Sequence, residues 1–431
     1  MTTQGFVNRM QDEFDAGQEF SQQQNPFTAV KVLSGHSDIV RTLTRLDEKS
    51  FVSYGDDGKI LVWDIESGSC VHALETKSRR VTCALLLQLD DRILLTASSD
   101  KTIRVWHSES GSLKKEIKEH GSSVRCLVAI LYNDVQYFCS GGDDLCLWSK
   151  EGDLLHKLHP TNDDSCIHTL LAVRNGRLIA ATNSLSLDGY QLVINDEKPS
   201  LESYIKKMPS HRDAIRCLIP IGEAMFASGS LDGAIYFWSS HTITVARKLN
   251  QHENYYDYEN KLYRFSVNQL ISCGEYVFAA VGNGFQVFSS SQPEKTALLI
   301  DQQHAHKTAV NSLAYNELRN IVITCSQDAR IRLWEVDIEA ILRAQTQRKN
   351  FMPPVSKYAS FIGELMGHSG GVLSVISFRV DGFASCGDDA LVLLWKEGAR
   401  ETRKRLELLQ HKTHEQCEVL TALMMNDGFK T

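Results

Sequence analysis

Aspartate, histidine and a hydroxyl recur at fixed spacing along this chain of 431 residues. Asp57, Asp100, Asp232, Asp328 and Asp389 each stand six residues before a Trp, while Asp143 stands five before Trp148. Four residues before the first five lies Ser53, Thr96, Ser228, Thr324 or Ser385, and 21 or 22 residues before four of them lies His36, His211, His306 or His368. Acid, imidazole and hydroxyl are the groups of nucleophilic and general acid–base catalysis. The 15 His would also suffice for metal sites. Yet a catalytic constellation occurs once, and this one repeats. The remaining His are scattered without ligand spacing, and no metalloprotease helix, nucleophile elbow or phosphate loop occurs. The reading is therefore structural: Asp in a tight turn accepts from His, and His reaches the strand hydroxyl that takes the indole N–H of Trp63, Trp238, Trp334 or Trp395. No catalytic residue, metal ligand or cofactor is expected.

The elements that must position these groups are short strands. All 6 Trp follow two residues of strand character, as in Leu61-Val62-Trp63 and Leu393-Leu394-Trp395. This is the pattern of WD40 repeats, each of ~40 to 45 residues folding as one four-stranded propeller blade. Successive Trp are 43, 42, 90, 96 and 61 residues apart, so the two long gaps each hide a repeat. In the first gap Cys166 to Val173, Arg177 to Ala181 and Gln191 to Ile194 read as strands, with Ile194 in the Trp position. In the second, Tyr276 to Val281 and Phe285 to Phe288 flank Gly282-Asn283-Gly284, with Phe288 in that position. The expected fold is all-β: a WD40 β-propeller of eight blades over residues 25–398, with a short C-terminal helix. Seven blades, with one cryptic repeat as decoration, is the alternative count.

Composition narrows the class. With 42% apolar residues and a formal charge of −7, the chain can bury a large core but lacks the basic field that nucleic-acid binding requires. The 11 Cys show no CxxC. Cys83, Cys126 and Cys217 share one repeat position, and Cys325 and Cys386 another, which reads as small buried residues in a reducing compartment. No apolar run approaches ~18 residues. A cytoplasmic protein that meets a membrane only through a partner is the expectation. Residues 1–24 read as a disordered N-terminal segment. The 61-residue spacing places an insertion at 337–357, between outer strands c and d of the seventh blade. It opens with the helical spacing of Ile338, Ile341 and Leu342 and carries Arg343, Arg348, Lys349 and Phe351. The extension 399–431 contains Arg403 to Leu409, which reads as a strand, and a helix over Thr413 to Asn426 with an apolar stripe of Leu420, Leu423 and Met424. Each repeat begins with the outer strand of the preceding blade, so Thr28 to Leu33 and Arg403 to Leu409 compete for the last place in blade 8.

Several segments resemble the WD repeat-containing protein 41 family: Asn25-Pro26-Phe27-Thr28, Ser140 to Trp148 with its shortened turn, Phe278 to Gly282, Ile362 to Ser369, and Leu394 to Gly398. They run from the entry of the first blade to the exit of the last. The resemblance implies a non-catalytic scaffold that joins two longin/DENN-domain proteins, the chromosome nine open reading frame seventy-two protein and its Smith-Magenis-region partner. That assembly regulates small GTPases in autophagy and lysosomal nutrient sensing. The propeller subunit would recruit it to lysosomes through a cationic amino-acid transporter. On this reading Thr28, Val30, Val32, Arg403, Leu406, Leu408, Leu420, Leu423 and Met424 dock a DENN subunit. Ile341, Arg343, Arg348, Lys349 and Phe351 meet the transporter. The rival reading is a substrate receptor of a cullin ubiquitin ligase, against which stands the lack of Trp-Asp-x-Arg: Trp63 is followed by Asp64-Ile65-Glu66.

Overall fold

Each repeated aspartate sets the turn that joins two strands. Its carboxylate accepts the amide two residues on, as Asp57 does from Lys59 at 3.0 Å, Asp232 from Ala234 at 2.8 Å and Asp328 from Arg330 at 3.0 Å. The intervening residue is left-handed in all five turns: Gly58 (φ 72°), Lys101 (74°), Gly233 (83°), Ala329 (64°) and Ala390 (62°). Asp supplies locally what a backbone carbonyl would otherwise provide. Strand c follows directly, and its Trp faces the strand b residue opposite. Phe226 and Trp238, register partners, stack at 5.7 Å and 2°, and Phe383 and Trp395 at 5.8 Å and 13°.

The structure, a computed structural model, describes residues 25–407 apart from 77–79, 88–91, 160–165, 184, 197, 206–207, 250–255, 258–261, 264–265, 291–295, 300–304, 339–358 and 380–381. Eight four-stranded antiparallel sheets form, so the eight-blade count is the correct one. Blade 1 is Val40–Arg45, Ser50–Gly55, Lys59–Asp64 and Cys70–Glu75, labelled a to d from the centre outward. A two-stranded hairpin, Tyr256–Asp257 with Leu262–Tyr263, lies between blades 5 and 6. The core sits in the seams between blades. One cluster combines Leu33, Phe378 and Leu394 of blade 8 with Val40, Phe51 and Trp63 of blade 1. Polar bonds cross the same seams: Val375 N donates to Ser312 Oγ at 3.2 Å, and Leu43 N to Ser374 Oγ at 3.3 Å across 331 residues of sequence. Cys83, Cys126 and Cys217 occupy the corresponding strand a position of blades 2, 3 and 5, each paired to the residue after the hydroxyl position or its equivalent.

Blade 8 closes the ring. Its strands a to c are Val372–Phe378, Gly382–Gly387 and Val392–Lys396, and its strand d is Ala29–Leu33 from the other end of the chain. Ala29 pairs with Lys396 and Leu33 with Val392. The competition for this place is thus settled for the N-terminal strand. Arg403 to Glu407 is helical, as part of the helix 398–407, and not a strand; residues 408 and 409 lie outside the described residues. With that place in blade 8 filled, local contacts favour the helix: Glu401 N bonds Glu397 O at 3.0 Å and Lys404 lies 3.8 Å from Glu401 one turn away. Leu408 and the Thr413 to Asn426 stretch, with Leu420, Leu423 and Met424, lie outside the described residues.

The two hidden repeats are blades 4 and 6. Blade 6 has Phe288 opposite Val277, which is the Trp register, as the sequence suggests. Blade 4 corrects the sequence reading. Its strand c is Leu187–Asn195, and the residue opposite Leu178 is Tyr190, which is buried; Ile194 is 40% exposed. The strand bulges between Gly189 and Tyr190, as strand c of blade 1 does between Val62 and Trp63, and so Tyr190 turns into the seam.

Candidate interaction site

The polar chains are complete in blades 1, 7 and 8. In blade 8 Trp395 Nε1 donates to Ser385 Oγ at 2.9 Å, His368 Nε2 lies 2.8 Å from that oxygen, and His368 Nδ1 lies 3.0 Å from both oxygens of Asp389. In blade 1 the corresponding distances are 2.8 Å (Trp63 to Ser53), 2.7 Å (Ser53 to His36) and 2.9 Å (His36 to Asp57). Blade 7 repeats them at 3.1 Å (Trp334 to Thr324), 2.9 Å (Thr324 to His306) and 3.0 Å (His306 to Asp328). In blade 8 the residue before His368 must be small, since a Cβ on Gly367 would meet Leu393 at 2.7 Å and Trp395 at 3.0 Å.

Blade 5 departs from this. His211 bonds Ser228 at 2.9 Å, and Ser228 accepts from Trp238 at 2.9 Å, but Asp232 stands 3.7 Å from Nδ1, beyond hydrogen-bond reach. His211 instead stacks on Tyr236 at 3.9 Å. Blade 3 holds a fifth histidine that spacing from the Asp does not find. His120 Nε2 is 2.6 Å from Ser140 Oγ, which accepts from Trp148 at 2.7 Å. Ser140 and Trp148 are eight residues apart where the other Trp-bearing blades have ten, so the turn is two residues shorter, although Asp143 stands only one residue nearer its Trp. The shortened turn turns Asp144 towards Lys157 at 2.8 Å and His159 at 2.5 Å, and His120 Nδ1 is left buried without a partner. Burial lowers the His120 pKa to about 4. Blade 2 has no His at this place, and Asp100 pairs with Arg104 at 2.9 Å.

Blades 4 and 6 lose the polar groups together. Their hydroxyl positions are Ala180 and Ala279, and their Trp positions Tyr190 and Phe288. Removing donor and acceptor as a set strands no buried polar atom.

None of these aspartates is poised as a catalytic acid. Burial alone would raise Asp328, but His306 and the Lys307 and Arg330 amides outweigh it and hold it down at about 2. Asp57 and Asp389 are lowered against the same burial by the same kinds of bond. The thiols move the other way, with burial pushing Cys83 up to about 11 and Cys217 to about 12. The ten described cysteines are all free, and no group of three or more potential metal ligands occurs among the described residues.

What remains available to a partner lies outside the polar chains. On blade 8, Thr28 is exposed, and Val30 and Val32 are 51% and 47% exposed on a strand whose outer edge has no pairing strand among the described residues. Phe27 anchors that strand, packed edge-on against Phe383 at 5.1 Å. The helix 398–407 begins beside it, with Gly398 N bonded to Pro26 O at 3.2 Å, and Lys404 reaches Glu66 of blade 1 at 3.1 Å. Arg403 and Leu406 are exposed on the helix. The structure therefore places Val30 and Val32 on the outer strand of blade 8 with Thr28 just before it, and Arg403 and Leu406 on the helix that starts beside that strand. In blade 7, strands c (Arg330–Val336) and d (Ala359–Met366) pair, so the insertion is their connection, as its spacing suggests. Ile341, Arg343, Arg348, Lys349 and Phe351 fall outside the described residues.

Eight sheets of four strands, seamed by Trp, hydroxyl, His and Asp, define a WD40 β-propeller. A family profile for the WD domain, G-beta repeat, matches residues 359–396. The computationally designed Ika8 protein has a similar fold, with a TM-score of 0.61 at 20% identity over 85% of this chain and 98% of that one. A more specific profile, the WDR41 β-propeller, matches residues 4–353. WD repeat-containing protein 41 of Homo sapiens is 31% identical over 93% of this chain and 94% of its own, and that of Mus musculus 31% identical over 90% and 91%. The chain belongs to the WD repeat-containing protein 41 family. Among the described residues no helix is long and apolar enough to cross a membrane.

Proposed function

We propose that the chain is a non-catalytic scaffold subunit. It joins the pair of longin/DENN-domain proteins that regulate small GTPases in autophagy and nutrient sensing, and recruits them to lysosomes. The observation that carries this reading is the meeting of both ends of the propeller on blade 8. Two exposed valines on a strand with no outer partner among the described residues, and an exposed Leu on the helix that begins beside it, offer apolar groups on this part of the ring. An open edge offers N–H and C=O groups in register, and apolar side chains beside it supply a desolvated centre for the contact. Leu420, Leu423 and Met424, which lie outside the described residues, are proposed to add to the same contact.

The insertion is the proposed contact for the lysosomal cationic amino-acid transporter, supported by its length, its four basic residues and its place as a connection on the propeller's rim. Affinity purification of the full chain from cells tests the scaffold role. Recovery of the longin/DENN pair supports it, and recovery of a cullin adaptor in their place would sink it. Deleting 337–357 should leave the pair bound and disperse the protein from lysosomes. If it still concentrates there on starvation, the insertion is not the contact.

A further inference from the structure

A cleft of about 440 Å³ opens on the rim between blades 6 and 7, at the foot of the insertion. Its walls are two tyrosines, Tyr276 and Tyr315, with Glu335, Asp337, Asn320 and Ile338 around them. We infer that this cleft receives a basic side chain, arginine above all, presented by a peptide segment of a partner.

The cleft has the size of a ligand site, in the lower part of the usual range of roughly 300–1,000 Å³. Its walls are fixed from behind. Tyr315 stacks on buried Phe278 at 4.5 Å, and its hydroxyl donates to Asn320 Oδ1 at 2.8 Å; Asn320 O in turn accepts from Val336 N at 2.9 Å. Burial and the neighbouring Cys273, Glu317 and Tyr276 push the Tyr315 phenol up to about 12, so the ring stays neutral. Glu335, half-buried, accepts only from Ser360 Oγ at 3.3 Å and makes no ion pair among the described residues. Aromatic faces and a carboxylate without a counter-charge attract a cation by two separate electrostatic effects. A planar guanidinium can lie on a ring and bond a carboxylate with its edge, which an ammonium cannot do.

A free amino acid would bring its own carboxylate beside Glu335, and like charges would oppose it. A residue within a peptide carries no such charge, which favours a peptide as the source. The site stands apart from the scaffold reading, because none of its residues belongs to blade 8 and none of its argument depends on the identity of the other partners.

The test uses the full chain and three probes in saturation-transfer NMR: acetyl-Gly-Arg-Gly-amide, the same peptide with citrulline, and free arginine. The arginine peptide should bind saturably. Citrulline, which keeps the shape and loses the charge, should bind at least ~10-fold more weakly, in line with the loss of a charge-assisted bond. Glu335→Gln should weaken the arginine peptide at least ~5-fold with an unchanged melting midpoint, and Tyr315→Phe should retain most of the binding because the ring remains. Equal binding of the citrulline peptide, or indifference to Glu335→Gln, overturns the inference, and tighter binding of free arginine overturns the peptide source. Replacing Arg343, Arg348 and Lys349 with Ala should change nothing; a ~10-fold gain would mean that the chain's own insertion competes for the cleft, and would also overturn it.

Discussion

Removing the carboxylate of Asp389 is the cleanest test of the structural account of the repeated acids. In the native chain that group receives His368 Nδ1 at 3.0 Å, Ser369 N at 2.8 Å and Leu391 N at 3.2 Å. The His368 side chain is 1% exposed, so in Asp389→Ala its Nδ1 has no access to water. The two amides lie nearer the surface and recover part of their loss by hydration. One buried group left unpaired costs about 1 to 3 kcal/mol. At ~2.1 cal/mol/K per residue, a ring of ~380 residues unfolding as a unit has an unfolding entropy of about 0.8 kcal/mol/K, so the midpoint should fall by about 1 to 4 °C. Scanning calorimetry measures this, with partner co-purification as the control that the surface is intact. Ser385→Ala should cost more, because it deprives both His368 and Trp395 of their shared oxygen. If Asp389→Ala melts with the native chain, the polar chain of blade 8 does not act as described.

Three further outcomes follow from the same geometry. Ala390 is left-handed at φ 62°, where a Cβ is disfavoured, so Ala390→Gly should stabilise the chain by up to ~1 kcal/mol; destabilisation in a denaturant titration would show that the Ala methyl packs better than its backbone is strained. Asp328 is held at about 2 against an ordinary 3.8, so its contribution is present above pH ~4 and is lost as pH falls through ~2; Asp328→Asn should flatten the acid limb of the stability curve over that range, and an unchanged limb would refute the assignment. Blades 4 and 6 lack the polar chain altogether, and their amides should exchange with deuterium faster than those of blades 1 and 8, with equal protection counting against the stabilising role of the chain.

The repeat was legible because its chemistry is local. An Asp that bonds its own turn and a Trp that stacks on the neighbouring strand leave fixed intervals in the sequence, and from these eight blades could be counted. What was missed shows where an interval can mislead. His120 escaped because the shortened turn of blade 3 changes the distance from His to Asp while leaving the distance from His to Trp at 28, within the 27 or 28 of every complete chain. Counting from the Trp, which the seam holds in place, would have found it. Tyr190 escaped for a related reason: with no hydroxyl at Ala180 there was no anchor to count from, and an apolar run extending to Ile194 looked like the better seam residue. The end of the chain was less legible still. Arg403 to Leu409 has the alternating apolar residues of an outer strand, but its i,i+3 charges favour a helix, and which pattern wins depends on the place in blade 8 already being filled by Ala29–Leu33. The cleft between blades 6 and 7 left no mark in the sequence, since Tyr276, Tyr315 and Glu335 are brought together only by the ring.

The proposed scaffold role has the longin/DENN pair assemble on blade 8, where both ends of the propeller meet. The most direct measurement is quantitative co-purification of that pair with a chain carrying Val30→Asp, Val32→Asp and Leu406→Asp, three changes at exposed positions that leave the buried anchor Phe27 and the register of the closing strand in place. The account predicts loss of the pair at an unchanged melting midpoint, whereas recovery of the pair at native levels would contradict it.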